Sequence, residues 1–102
     1  ADKALVSELG TDPKITPNFI WKRDCDWVDE ADVIIAEVTT PSLGVGYEIS
    51  RAEAAGKPIL TLFDKTSGRR LSPMISGNPN LIVCEYNDVS ETADAVSHFL
   101  QS

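Results

Sequence analysis

Residues 32–38 read Asp-Val-Ile-Ile-Ala-Glu-Val, and from Val33 to Ala36 no polar residue interrupts the apolar run. A strand that is apolar on both faces must be covered on both, as parallel strands are when helices lie above and below them. Two more runs share this character, 58–63 (Pro-Ile-Leu-Thr-Leu-Phe) and 81–84 (Leu-Ile-Val-Cys). Parallel strands need a long crossover, usually a helix. Residues 45–55 are helical in composition, with Gly56 in the position after a helix end and Lys57-Pro58 leading into the next run. Strand, helix and strand in this spacing form a βαβ unit with a right-handed crossover. The fold class expected is α/β, a parallel sheet with helices on both faces, and residues 1–102 are expected to be a single domain.

Two more helices are expected. Residues 18–31 follow Pro17 with Asn18 as cap, and 89–100 carry Ser90 as cap with Val89, Ala93, Val96 and Leu100 on one stripe. Residues 10–17 and 67–80 are expected to be loops, the second broken by two glycines and two prolines. The strand at 32–38 needs a neighbour at each edge, and the βαβ unit supplies one. The other neighbour is expected upstream of Ala1, so the chain is expected to be the C-terminal portion of a larger domain and not a stable monomer alone.

Charge and composition exclude several function classes. With 42% hydrophobic and 25% charged residues the chain is globular in character. No apolar run is long enough to span a membrane, and nothing at the N-terminus reads as a signal peptide. A net charge of −7 argues against nucleic-acid polymers, which require a basic footprint, but not against one mononucleotide. Cys25 and Cys84 are far apart without a second ligand at metal spacing, so they read as free thiols of a reducing compartment. The only histidine, His98, lies beside Phe99 and Leu100 and reads as a helix-flank residue.

Chemistry concentrates where the first strand meets the following helix, in Thr39-Thr40-Pro41-Ser42-Leu43-Gly44-Val45-Gly46-Tyr47-Glu48. Ligands of open α/β sheets bind at the carboxyl ends of strands. Ser42 and two glycines there suit an anion held by backbone amides at a helix N-terminus. A turn that needs Gly, with Ser42 as its cap, explains the same residues. Glu48 is expected in the first turn of that helix, where a carboxylate also offsets the dipole. Asp24 is expected on the core-facing stripe of its helix with Ile20, Trp27, Val28 and Ala31, so it must be paired or functional; Arg23 and Arg51 are candidate partners. Two carboxylates beside an anion site suit cleavage of a glycosidic bond in a sugar phosphate. Glu37, at its strand's end, is expected to position loop residues by accepting hydrogen bonds. Trp21, Trp27 and Tyr86 read as core or rim residues. Ser67-Gly68-Arg69-Arg70 reads as a solvated basic turn from which an arginine could reach a phosphate.

Residues 32–39 followed by Pro41-Ser-Leu-Gly-Val-Gly-Tyr-Glu48 resemble the 2′-deoxynucleoside 5′-phosphate N-hydrolases of the nucleoside 2-deoxyribosyltransferase superfamily. The helix bearing Asp24-Cys-Asp-Trp27 and the stretch Gly68-Arg-Arg-Leu-Ser72-Pro-Met74 support the likeness. The resemblance implies a flavodoxin-like, Rossmann-like sheet and hydrolysis of a deoxynucleoside 5′-monophosphate to free base and 2-deoxyribose 5-phosphate. It implies Glu48 as the nucleophile of a covalent intermediate and Asp24 as the residue that holds the sugar or assists proton transfer. Ser42 and Gly44 would contact the 5′-phosphate, Ser72 and Met74 would reach the neighbouring site of a homodimer, and no metal or organic cofactor is implied. Family members begin with a strand, a Gly-Ser-Ile-Arg-Gly-Gly-type loop, a helix and a second strand, none of which is recognisable here. An intracellular setting is expected, cytoplasmic and also nuclear. Two other functions share these residues: a deoxyribosyltransferase passing the sugar to another base, and a non-catalytic nucleotide-binding module.

Overall fold

The computed structural model describes residues 4–7 and 16–102. Strands β1 (Ala4–Ser7), β2 (Val33–Glu37), β3 (Ile59–Asp64) and β4 (Ile82–Tyr86) form one sheet in the order β1-β2-β3-β4, parallel throughout. Helices α1 (Pro17–Glu30) and α2 (Leu43–Ala54) cover one face and α4 (Ser90–Leu100) the other. In β2, Ile34 and Ala36 enter a core with Val28 and Ala31 from the first helix and Val45, Ile49 and Ala52 from the second. Val33 and Ile35 point the opposite way, into a core with Leu60 and Phe99. The unbroken apolar run follows from this two-sided burial. Thr61, in the middle of β3, is buried, and its hydroxyl donates to the Ile82 carbonyl at 3.0 Å.

The sheet has four strands where three apolar runs were read. Beside β2 lies β1, with Ala4 opposite Val33 and Ser7 opposite Ala36. The edge expected to lack a partner is paired, and the expectation of an unstable monomer loses the bare edge it rested on. The apolar run of β1 is only Ala4-Leu5-Val6, shorter than the runs that mark a buried strand in sequence. Of the loop expected at 10–17, residues 10–15 lie outside the described residues.

Other boundaries shift for identifiable reasons. Thr16, not Asn18, caps α1: its hydroxyl accepts from the Phe19 N–H at 3.2 Å, with Pro17 in the first turn. The buried residues of this helix are Cys25 and Val28, while Trp27 is 47% exposed beneath the Arg23 guanidinium, 4.6 Å from its ring. Ser90 is the first residue of α4 and not its cap; Asp88 accepts from the Ser90 N–H, and Glu91 accepts from the Asp88 N–H. That helix buries Phe99 with Val96 partly covered, whereas Val89 is exposed. Residues 67–80 contain the end of a 3-10 turn, Lys65–Ser67, and a short helix, α3 (Pro73–Ser76), capped by Ser72.

Two ties join α1 to its surroundings. Arg51 of the second helix donates to both carboxylate oxygens of Asp29, each at 2.8 Å. The Lys57 ammonium donates to the carbonyls of Val28, Asp29 and Ala31 at 2.6, 2.7 and 2.5 Å, satisfying groups that the helix end leaves without partners. Gly56 adopts a φ of 74°, the left-handed conformation expected after a helix.

Candidate active site

The chain leaves β2 at Glu37 and enters α2 through residues 38–42. Ser42 takes an extended backbone, and its hydroxyl oxygen accepts from the Val45 N–H at 3.2 Å. It is therefore a helix cap, and a cap hydroxyl still has its own proton to donate. The helix begins at Leu43, so Glu48 falls in the second turn and not the first. The dipole then gives little account of an acid there, because its effect fades beyond the first turn.

Two cavities meet across this helix start. One, of about 430 Å³, lies between α1 and α2 and is lined by Asp24, Glu48, Gly44, Trp21, Tyr47 and Cys25, among others. The second, of about 310 Å³, is lined by Ser42, Ser72, Met74, Thr40 and Arg70. Leu43 lines both and is 96% exposed. The two carboxylates thus share one cavity, with Arg51 and the Tyr47 phenol also on its wall, while Thr40, Ser42, Ser72 and Arg70 line its neighbour. Ser72 and Met74, expected to reach across a dimer, line the cavity of Ser42 within one chain.

Asp24 is half-buried on the cavity flank of its helix, not on the buried stripe. Of the two arginines considered for it, Arg23 is the partner, with Nε 3.0 Å from a carboxylate oxygen and the Asp24 side chain 30% exposed. Arg51 is engaged by Asp29, whose carboxyl it holds below the ordinary range chiefly through their hydrogen bond. Across the cavity the Trp21 indole N–H donates to the Tyr47 hydroxyl at 3.4 Å, linking the two helices. Among the described residues, no group of three His, Cys, Asp or Glu side chains could hold a metal ion.

Glu37 accepts hydrogen bonds in the way its place at the strand end suggested. One carboxylate oxygen accepts from the Thr39 N–H at 2.8 Å and from the Thr39 hydroxyl. The other accepts from the Tyr86 hydroxyl at 2.7 Å. Donating that bond to a carboxylate pushes the Tyr86 phenol up to about 12, with burial adding to the effect.

Residues 2–89 match the family described as nucleoside 2-deoxyribosyltransferase. The chain belongs to that family. As a nucleoside 2-deoxyribosyltransferase family member it is 54% identical over 74 residues to a 5-hydroxymethyl-dUMP N-hydrolase of Rattus norvegicus, covering 72% of this chain and 45% of the rat protein. It is 45% identical over 86 residues to the 5-hydroxymethyl-dUMP N-hydrolase of Branchiostoma floridae, covering 81% of each chain. The fold is similar to that of a CMP N-glycosidase from Clostridium botulinum, with a TM-score of 0.68, 26% identity, and coverage of 83% of this chain and 71% of that one. The chain spans less than half the length of the rat, mouse and Tetraodon nigroviridis relatives it matches.

For this family member, sequence reasoning brought forward the carboxylates and both serines but missed Leu43, Tyr47 and Trp21 as cavity residues. Tyr47 lies inside the motif already singled out, and its phenol was the available signal. Leu43 had none, because an apolar residue at a helix start ordinarily packs inward.

Proposed function

We propose that this chain carries the reaction centre of a deoxynucleoside 5′-monophosphate N-hydrolase. The observation that carries the reading is the pairing of two cavities across the start of α2, carboxylates in one and hydroxyls with an arginine in the other. A sugar phosphate lying over Leu43 would put its anomeric carbon beside Glu48 and its phosphate beside Ser42. Glu48 attacks that carbon, the bond to the base nitrogen breaks, and a glycosyl ester forms. Asp24 holds the sugar or passes a proton to the departing base. Water then cleaves the ester, releasing 2-deoxyribose 5-phosphate and restoring the carboxylate. Ser42 binds the phosphate with Ser72 and Met74 at its subsite, and Gly44 meets it from the wall of the carboxylate cavity. The relatives' names make 5-hydroxymethyl-dUMP the first substrate to try.

The reading includes a homodimer with shared sites. It also includes an intracellular setting, cytoplasmic and nuclear, in keeping with two free cysteines. Imaging of the tagged full protein checks the compartment. A transferase with the same nucleophile is the second reading, favoured by the family's description.

The test is incubation of the full protein with 5-hydroxymethyl-dUMP and other deoxynucleoside monophosphates, with and without a free acceptor base. Free base and 2-deoxyribose 5-phosphate are expected in both cases. A new nucleotide formed only with acceptor indicates the transferase, and no turnover with retained binding indicates a binding module. Glu48→Ala should abolish turnover while nucleotide binding persists. Asp24→Asn should slow turnover severely and change stability by less than about 1 kcal/mol, the range of exposed ion pairs. Near-normal turnover in the Glu48 variant would end the nucleophile assignment.

A further inference from the structure

Ser42 can serve a phosphate only if the strand exit before it holds a fixed course, and that course depends on residues far away in the chain. Glu37 ends β2, Asp64 ends β3 and Tyr86 ends β4. All three converge on Thr39, three residues before Ser42. The Thr39 N–H and hydroxyl both donate to one oxygen of Glu37. The Thr39 hydroxyl oxygen accepts from the Asp64 N–H at 2.8 Å. Tyr86, 7% exposed, donates to the remaining oxygen of Glu37 at 2.7 Å. The phenol keeps its proton across the ordinary pH range and so remains a donor. Val38, Thr40, Pro41 and Ser42, on both sides of this anchor, line the cavity assigned to the phosphate.

We propose that Tyr86 and Glu37 are positioning residues for the phosphate subsite, holding Thr39 so that the 38–42 segment presents Ser42 to the ligand. The inference rests on the phosphate reading of this cavity. A carboxylate restrained by donors from the segment that follows it and from β4 has less freedom to swing to solvent. The segment it grips is therefore preorganised, and binding does not have to order it. Neither residue touches substrate. Without the Tyr86 hydroxyl, Glu37, which is itself solvent-exposed, loses the contact that links it to the fourth strand.

The experiment compares Tyr86→Phe, Glu37→Gln and Glu37→Ala with the unaltered full protein. It reads amide exchange at Thr39 and Asp64, together with affinity for inorganic phosphate, a deoxynucleoside monophosphate and the matching deoxynucleoside. Tyr86→Phe should speed exchange at Thr39 while Ile34, Ile35 and Ala36 stay protected. It should weaken both phosphate ligands by about tenfold and leave the deoxynucleoside within about twofold. Glu37→Gln should stay near the unaltered protein, because its amide oxygen still accepts from Thr39 and its amide NH₂ can donate to the phenol oxygen. Glu37→Ala should lose phosphate affinity as Tyr86→Phe does. Unchanged Thr39 exchange, or equal loss for nucleoside and nucleotide, would overturn the positioning role and leave the phosphate reading standing. Absence of phosphate affinity in the unaltered protein would remove both.

Discussion

Ser42 meets two demands that a serine hydroxyl can satisfy together. Its oxygen accepts from the Val45 N–H, and its proton remains available to an anion at the mouth of the cavity. The cap explanation of this residue and the phosphate explanation are therefore compatible, whereas the turn expected to need Gly is absent, since Gly44 and Gly46 are helical and neither takes a positive φ. Ser42→Ala should cost about 1 kcal/mol of stability through the lost cap. It should also weaken monophosphate binding while leaving nucleoside binding nearly unchanged, since a hydrogen bond to a charged group contributes about 1.5–3 kcal/mol. Thermal unfolding and calorimetric titration with both ligands separate the effects. Equal weakening for the two would reduce Ser42 to a cap. The Asp24 position shows what periodicity can and cannot deliver: it located the right helix and nearly the right face. It could not tell the buried stripe, which centres on Cys25 and Val28, from the adjoining cavity flank, because Asp24 and Val28, four residues apart, differ by only about 40° around the helix.

At the scale of elements, α1 and α2 bound the carboxylate cavity, and their relative placement rests on polar ties as well as on the core. Arg51 to Asp29 is one such tie. Trp21 to Tyr47 is another, and Glu53, accepting from the side chains of Asn80 and Asn78, ties the second helix to the segment after α3. Both carboxyls are held below their ordinary values, Asp29 chiefly by its hydrogen bond from Arg51 and Glu53 by Asn80 and then Asn78. A folded-state value lowered in this way adds stability above the unfolded value, which is 3.8 for Asp29 and 4.5 for Glu53. That stability disappears as pH falls through the folded values. Urea unfolding from pH 6 down to pH 3 (about the range set by carboxylate titration) should show stability declining below the mid-fours. Arg51→Met and Glu53→Gln should each flatten the decline. An acid limb unaltered in both variants would mean that other carboxylates govern it.

For the whole molecule, the question is whether a second copy completes the site. Leu43 and Met74 stand 96% and 81% exposed on the rims of the two cavities, a setting that a dimer partner would cover. Sharing of sites is tested by complementation in the full protein. Mixing Glu48→Ala with Ser72→Ala subunits should restore part of the activity that each lacks alone if Ser72 serves the neighbouring site. No recovery in subunits shown by sedimentation to have exchanged would place Ser72 in its own chain's site, as the single-chain cavity already permits. The sequence by itself determined the strands β2 and β3 with their intervening helix, because burial on both faces leaves an apolar run with no alternation. It also determined the motif at the strand exit, where Ser42 caps the helix, although Gly44 and Gly46 lie inside that helix and neither takes a positive φ. Only the tertiary structure decided that residues 4–7 pair with β2, that Ser72 meets Ser42 in one cavity, and that Tyr86 grips Glu37. Each of these joins segments distant in the chain. Periodicity records which face of an element is apolar, whereas the partner that fills the opposing position is chosen by packing and hydrogen-bond satisfaction across the whole fold.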